Sequence, residues 1–451
     1  MSVRDVPATG APPRLRALPI QTHRFSNGLL LAVVEQRHLP IVDIEIVVRA
    51  GAALDGARHA GRAVMLAEML DEGTTTRSVM QIADEIDFLG AHLDISAGWD
   101  TTLLALHVMS GRLPAALDIM ADVLLNPAFP PEEFERKQRE RLTTLLQEQD
   151  EARIIANKAL ARGVFGAQHP YGVPLGGTYA AVEAMTLAAV RECYQSYFAP
   201  GNAFAVVVGD VDFAEIVAAF EARFAAWPPA TAATAAIPAP ANSESMRVLL
   251  VDKPRAAQAE IRAGHPGPPR TTPDYFPLVV LNTMLGGAFT SRLNLRLREE
   301  MGVTYGASSK FGWRAQGGLF WASSAVDTDA AAESLAVVLS EMRRLRDEPI
   351  DEDELRRAAH YIAYGLPRAF ESTEDIAAHV REQILHGFAI DYWPSYVDRM
   401  LAVTAEQVRQ AAARHLQPER AVGVIVANRR AVEARLRELD LGDIIITEIE
   451  A

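Results

Sequence analysis

The segment LGGAFTSRLNLRLREEMGVTYGASS, residues 285–309, contains two side chains that could stabilise negative charge on an oxygen atom. Arg298 offers a rigid fork of N–H donors, and Tyr305, seven residues later, offers one O–H donor. A donor aimed at an oxyanion contributes roughly 3 kcal/mol to a transition state. Both residues also have ordinary explanations, because an arginine before two glutamates is commonly a solvated ion-pair partner and a strand tyrosine is commonly core. The residues alone leave both explanations open.

The neighbouring elements must hold this pair in position. Leu293 and Leu297 are four residues apart and predict a helix with one buried face, which places the arginine near the helix end. Gly302 allows a turn, and VTYGASS after it predicts a strand that includes the tyrosine. The earlier Gly286–Gly287 pair is a candidate substrate contact, or it simply ends a helix.

No segment of the sequence has the spacing of a helical zinc site. Neither HExxH nor HxxEH occurs, although two histidines four residues apart are what places both imidazoles on one helical face. His379, Glu382 and His386 could share a face, but histidines seven residues apart lie about 10 Å apart along a helix, too far for one zinc ion. His38 is expected in a loop. We therefore expect no metal ion in this chain.

Composition narrows the possible functions. The 451 residues carry a net charge of −14, which disfavours nucleic-acid binding because phosphate contacts need clustered Lys and Arg. The one cysteine, Cys193, excludes an intrachain disulfide and is expected to be a buried, inert thiol. No apolar run is long enough to span a membrane. The N-terminus as given has no apolar signal region, so we expect a cytoplasmic protein, or a periplasmic one whose signal was removed.

The sequence contains an internal repeat. AEMLDEGTTTRS, residues 67–78, lines up with NTMLGGAFTSRL, residues 282–293, at an offset of 215, and two further pairs of segments repeat near this offset. An Ala/Pro/Thr/Ser-rich segment at 228–246 predicts a linker between the copies. The sequence therefore predicts two similar units, at 20–227 and 247–445.

Each unit mixes strand and helix patterns. LLLAVVEQ, VDIEIVVRAG and AFAVVVGDVD are rich in β-branched residues and predict strands. LPAALDIMADVLL has apolar residues at spacings of three and four, and PPEEFERKQRERLTTLLQEQ begins with proline and acids, so both predict helices. The predicted fold class is α+β, with helices covering a sheet in each of two homologous domains.

Together these landmarks resemble the pitrilysin (insulinase-type) family of zinc peptidases. NGLLLAVVEQ, GRAVMLAEMLDEGT, HPYGVPLGGT and YFAPGNAFAVVVGDVD match family segments in the family's order, and the resemblance covers nearly the whole chain. Active members carry HxxEH on the helix equivalent to GRAVMLAEML, and a carboxylate from a later helix completes their zinc site. The resemblance therefore shows where a zinc site would lie in this chain.

Those positions have lost the zinc ligands. The residues equivalent to HxxEH are Val64, Ala67 and Glu68, and the later carboxylate falls at Thr144, 76 residues after Glu68. Valine, alanine and threonine offer no imidazole or carboxylate. Glu68 alone is not a site and is expected to be a helix-surface carboxylate or a salt-bridge partner.

The resemblance also gives the arginine–tyrosine pair a function. In the family, an arginine and a tyrosine at this spacing reach into the zinc site of the opposite half and hold the scissile carbonyl. Some members divide the labour between two subunits, one carrying HxxEH and the other carrying Arg and Tyr, which close around a peptide-sized chamber. This implies that Arg298 and Tyr305 make the chain the zinc-free subunit of a heterodimeric metallopeptidase. Its partner would be an HxxEH-bearing paralogue that holds the zinc, and its substrates would be peptides.

Two other functions stay open. The first is a catalytically inert scaffold, since core subunits of some respiratory complexes share this fold. The second is a peptide-binding or chaperone-like module without hydrolysis. A scaffold has no reason to keep Arg298 and Tyr305, so their presence favours the peptidase subunit.

Overall fold

The computed structural model describes Gly10 and residues 15–229, 237–240 and 244–448. Within these ranges the chain forms two six-stranded sheets covered by helices, and the predicted α+β class is confirmed. The predicted linker at 228–246 lies partly outside the described residues, and the domain boundaries at 20–227 and 247–445 stay predictions. None of the described helices is both long and apolar enough to cross a bilayer.

The first half supplies strands β1 to β6 and helices α1 to α8. The strands are β1 (Gln21–Arg24), β2 (Leu30–Glu35), β3 (Ile41–Val48), β4 (His92–Ala97), β5 (Thr102–Met109) and β6 (Ala203–Gly209). The helices are α1 (Arg62–Met69), α2 (Val79–Leu89), α3 (Leu113–Leu125), α4 (Pro131–Gln147), α5 (Ala152–Phe165), α6 (Tyr179–Glu183), α7 (Leu187–Tyr197) and α8 (Phe213–Phe224).

The second half supplies the remaining elements. The strands are β7 (Arg247–Asp252), β8 (Ala259–Gly267), β9 (Ala307–Arg314), β10 (Gly317–Val326), β11 (Val422–Ala427) and β12 (Asp443–Thr447). The helices are α9 (Tyr275–Asn282), α10 (Ala331–Asp347), α11 (Glu352–Gly365), α12 (Thr373–His386), α13 (Tyr392–Leu401), α14 (Ala405–His415) and α15 (Arg429–Glu438). Two π-helical segments, Thr283–Gly287 and Asn294–Glu300, lie between α9 and β9.

The two sheets have the same strand order. The first runs β1-β2-β6-β3-β5-β4 and the second runs β12-β7-β11-β8-β10-β9. In both, the second and third strands are parallel and the next three pairings are antiparallel. Only the first edge strand differs, because β1 is antiparallel to its neighbour and β12 is parallel. The shared order agrees with the internal repeat.

In each half, one helix packs on the sheet of the other half. Helix α5 of the first half packs on β8 and β11 of the second, and α12 of the second half packs on β3 and β6 of the first. Buried aliphatic side chains make both contacts; they include Ile155, Leu160 and Val164 against Val422, Val424 and Val426, and Ile376, Ala377 and Val380 against Val34, Val206 and Val208. The exchange removes apolar surface of each sheet from water only when both halves are present.

The exchanged helix α12 also brings an ion pair into this contact. The Arg381 guanidinium donates to the Glu45 carboxylate on β3, whose side chain is 7% exposed. Burial raises the pKa of Glu45 to about 7, although Arg381 acts to lower it. Next to this pair, the Thr373 hydroxyl donates to Asp43, which also hydrogen-bonds Nδ1 of His107 at 2.8 Å. The contact between halves therefore contains buried charge as well as apolar surface.

Equivalent hairpin tips of the two halves touch each other. Trp99 lies between β4 and β5, Arg314 ends β9, and the two are separated by the repeat offset of 215. The Arg314 Cζ atom lies 4.1 Å from the centroid of the Trp99 ring, and the amide of Ala315 donates to Asp100 Oδ2 at 2.9 Å. Contact between equivalent positions is what an approximate two-fold axis produces.

Candidate functional site

The four positions equivalent to HxxEH and the later carboxylate lie on helices α1 and α4, which pack together. Ala67 is buried, Val64 is half-buried, and neither has a donor atom for a metal. Thr144 is exposed, and its hydroxyl donates to the Glu140 carbonyl of its own helix at 3.0 Å. These residues do not fit a zinc ion.

Glu68 is the one carboxylate at these positions. It is half-buried, and no residue of the described ranges hydrogen-bonds or ion-pairs with it. Burial raises the pKa of its carboxyl group, while the positive charges of Arg141 and Lys137 act in the opposite direction. Glu68 is therefore a partly desolvated helix carboxylate near two cations. Of its two expected roles, helix-surface carboxylate or salt-bridge partner, the described residues show no direct salt bridge.

Ion pairs join Glu72, which follows the C-terminal end of α1, to helix α4. The Glu72 carboxylate accepts from Arg136 and from Lys137 Nζ, the latter at 2.8 Å. Burial acts to raise the pKa of Glu72, but these hydrogen bonds outweigh it and leave the pKa below its usual value. Two cations thus lie beside a carboxylate in the part of the fold where metal ligands would be needed, and both would repel a metal cation.

The histidine–glutamate cluster on α12 has structural partners. His379 packs against Phe370 and Trp393, with ring centroids 4.3 and 4.5 Å away, and Glu382 pairs with Arg270. His386 stacks near Phe388. In the described ranges no group of three or more His, Cys, Asp or Glu side chains has the arrangement of a metal site.

We expect the purified chain to bind less than about 0.1 equivalent of zinc after dialysis, because Val64, Ala67 and Thr144 offer no imidazole or carboxylate. Metal analysis by mass spectrometry checks this. A zinc peptidase with an intact HxxEH motif, prepared in parallel, is the control, and it should retain about one equivalent. One tightly held zinc ion per chain that is lost in Glu68→Gln would contradict the expectation.

The arginine of the candidate pair lies where the sequence predicts, near the end of a helical segment. Arg298 is in the π-helical segment Asn294–Glu300, held in the core by Leu293 and Leu297, both fully buried. Its side chain is 31% exposed, and Nε lies 3.6 Å from the adjacent Glu299 carboxylate. Nη1 is buried and has no hydrogen-bond partner within the described part of the chain. The guanidinium therefore has one buried donor that the described residues leave unsatisfied.

The tyrosine lies outside the predicted strand. Strand β9 begins at Ala307, so Tyr305 belongs to the turn before it. The Thr304 hydroxyl makes this turn by donating to the Ala325 carbonyl at 2.6 Å and accepting from the Gly306 amide at 3.1 Å. Tyr305 is 94% exposed. This excludes the explanation of Tyr305 as a core residue, because its ring and hydroxyl point into solvent.

One buried amide fixes the elements that carry these side chains. Asn294, 6% exposed, accepts from the Ala307 amide at 3.0 Å and donates to the Ala307 carbonyl at 2.9 Å, which ties the π-helical segment to the start of β9. Its Nδ2 also reaches the Ala288 carbonyl at 3.2 Å and Ser291 Oγ at 3.1 Å. The sequence pattern gave no indication of this role, since an asparagine between two leucines looks like an ordinary helix residue.

Gly286 and Gly287, the predicted substrate contacts, differ in their exposure to solvent. Gly286 is buried where the chain passes against β9, and a Cβ there would come within 2.4 Å of the Ser309 amide nitrogen. This gives Gly286 a packing role. Gly287 is exposed, and a Cβ there would meet Asn282 at 2.9 Å. Of the predicted substrate contacts, only Gly287 is open to a ligand.

Family models match both halves of the chain. The model described as Insulinase (Peptidase family M16) matches residues 31–170, and the model described as Peptidase M16 inactive domain matches residues 184–361. The first range includes α1 and α4, and the second includes the arginine–tyrosine segment.

Individual proteins are similar over most of their length. An uncharacterized zinc protease of Mycobacterium leprae is 27% identical over 91% of this chain and 93% of its own. A mitochondrial-processing peptidase subunit beta of Lentinula edodes is 25% identical over 87% of this chain and 86% of its own. The crystal structure of a peptidase M16 inactive domain from Pseudomonas fluorescens has a TM-score of 0.83 and 26% identity, and covers 91% of this chain and 98% of that one.

Proposed function

The chain belongs to the M16 (insulinase) family of peptidases, and from this premise we propose that it is the zinc-free subunit of a two-subunit metallopeptidase. Its partner would be a paralogue with HxxEH, which holds the zinc. Peptides would be hydrolysed in the chamber that the two subunits enclose. The processing-peptidase relative is named as a subunit, which supports the idea of a partner.

The exposure of Tyr305 carries this proposal. A tyrosine that is 94% exposed, at the end of a turn held by Thr304, has no packing function that would explain it. Close to it in sequence, Nη1 of Arg298 is buried and has no acceptor among the described residues. Unsatisfied buried donors are uncommon in folded proteins and call for an explanation. An acceptor from outside the chain can reach the Tyr305 hydroxyl and the exposed part of the Arg298 side chain.

The chemistry follows from what each side chain can donate. As water attacks a peptide carbonyl, its oxygen gains negative charge, and hydrogen bonds that strengthen at that moment lower the barrier. In this proposal the Tyr305 hydroxyl and the Arg298 guanidinium donate to that oxygen. Neither residue can activate the water, so the chain alone is inactive and the partner must provide that step.

Mixing the two subunits tests the proposal. The chain and an HxxEH-bearing paralogue from the same genome are purified separately and assayed with a quenched fluorescent peptide. We expect no hydrolysis by this chain alone and far faster hydrolysis by the mixture than by the partner alone. A partner whose activity is unchanged by this chain, despite forming a complex with it, would favour the scaffold function. A complex that binds peptides but never cuts them would favour the peptide-binding module.

A further inference from the structure

The aromatic ring of Phe289 lies against the candidate oxyanion donor. The Arg298 Cζ atom is 4.0 Å from the centroid of the Phe289 ring. Phe289 is 68% exposed, in the loop between the π-helical segments. A large apolar side chain gains little from such a position, and the guanidinium is the contact that the structure records for this ring.

This contact constrains a side chain that is otherwise loosely held. Nε of Arg298 lies 3.6 Å from a Glu299 oxygen, and Glu299 is 57% exposed, so that ion pair is weak. Nη1 has no partner among the described residues. An aromatic face attracts a guanidinium placed over it, while the N–H donors lie in the guanidinium plane, so an acceptor can approach them at the exposed part of the side chain.

The loop that carries Phe289 is itself fixed. The neighbouring Ala288 carbonyl accepts from Asn294, which also ties the π-helical segment to β9. The ring therefore has a defined place relative to the helical segment that carries Arg298. This is the arrangement required of a residue that orients another.

We propose that Phe289 is a positioning residue, which holds the Arg298 guanidinium so that its free donors face the carbonyl oxygen of a bound peptide. This rests on the proposed function of Arg298. Phe289 does not itself touch the reacting atoms. It reduces the number of rotamers that Arg298 samples. The entropy cost of ordering this side chain is therefore incurred on folding and not on substrate binding.

The test uses the assembled pair of subunits and compares Phe289→Leu with Phe289→Tyr. Leucine keeps an apolar side chain but removes the aromatic face, so kcat should fall ~5–30-fold while KM changes less than about twofold. Tyrosine keeps the face and should recover most of the lost kcat. The matched control is Phe88→Leu, an exposed phenylalanine on α2 that is 81% exposed and far in sequence from the site. It should leave kcat unchanged.

A double-substitution cycle separates positioning from general structural damage. In the Arg298→Ala background Phe289→Leu should change kcat less than about twofold, because no guanidinium remains to be oriented. An equal loss in both backgrounds, or a Phe289→Tyr variant as slow as Phe289→Leu, would overturn the positioning role. Full activity of Phe289→Leu beside a slow Arg298→Ala would overturn the positioning role alone. Full activity of Arg298→Ala would overturn the proposed function and the positioning role together.

Discussion

Replacing Tyr305 by phenylalanine should lower kcat of the proposed two-subunit peptidase by about 10²–10³, the loss found when one oxyanion donor is removed. The substitution removes one hydroxyl group and leaves the ring. Because Tyr305 is 94% exposed and makes no hydrogen bond within the described residues, the fold and its thermal stability should not change. Steady-state kinetics of the purified pair measures the effect, and gel filtration confirms that assembly is intact.

Two further variants complete this experiment. Arg298→Ala should cause a loss of similar size, since the guanidinium is the second proposed donor. Tyr361→Phe is the matched control, because Tyr361 is 62% exposed on α11 and has no proposed role. Its kcat should equal that of the wild-type pair. If Tyr305→Phe and Arg298→Ala were both fully active in the complex, the chain would be a scaffold and the proposed function would be wrong.

Replacing Arg381 by methionine should lower the free energy of unfolding by about 3 kcal/mol at pH 8. The substitution leaves the Glu45 carboxylate, only 7% exposed, without its cation in the contact between α12 and β3. A buried charge that loses its partner keeps the cost of desolvation and loses the compensating attraction. Urea unfolding followed by circular dichroism measures the difference.

The loss should be smaller at pH 6. Burial raises the pKa of Glu45 from 4.5 to about 7 in the folded protein, so the folded state binds more protons than the unfolded chain between these values. The contribution of Glu45 to stability therefore falls as pH rises through this window. Without Arg381 the folded pKa rises further, so the variant keeps a neutral Glu45 at pH 6 but must either ionise it or hold its proton at a cost at pH 8.

Two controls make this result specific. Arg356→Met removes a similar cation from an exposed pair with Asp353, and it should change stability by less than about 0.5 kcal/mol. Adding Glu45→Gln to Arg381→Met should abolish the difference between pH 6 and pH 8. A loss that is the same at both pH values would mean that the packing of the Arg381 stem, and not the charge of Glu45, determines the effect.

Local patterns in the sequence predicted the elements well. LPAALDIMADVLL is α3 from Leu113 to Leu125, and the charged segment that begins with proline forms α4. Cys193 is buried as expected, and burial raises the pKa of its thiol to about 11. These features depend on periodicity and composition within one element, which the sequence shows directly.

What the sequence could not predict depends on contacts between distant residues. The strand pattern around Tyr305 predicts a start of β9 that is too early. The pattern does not show that the Thr304 hydroxyl donates a hydrogen bond to the Ala325 carbonyl. The sequence does not show that α5 packs on the second sheet, because that contact joins residues from different halves of the chain. The sequence does not single out Phe289, because only the folded structure shows that this loop phenylalanine lies against Arg298.

The exchange of α5 and α12 makes the two halves mutually dependent parts of one particle. If a protease cut the chain between residues 229 and 244, each fragment would still have a helix on the other fragment's sheet, so the nicked protein should not separate without unfolding. Either fragment alone would expose a row of buried valines on the second face of its sheet. If two such units were on separate chains, each would pack its helix on the other unit's sheet, and the two chains would form a dimer. In the present chain both units belong to one polypeptide, so each packs its helix on the other and no second chain is needed for this contact.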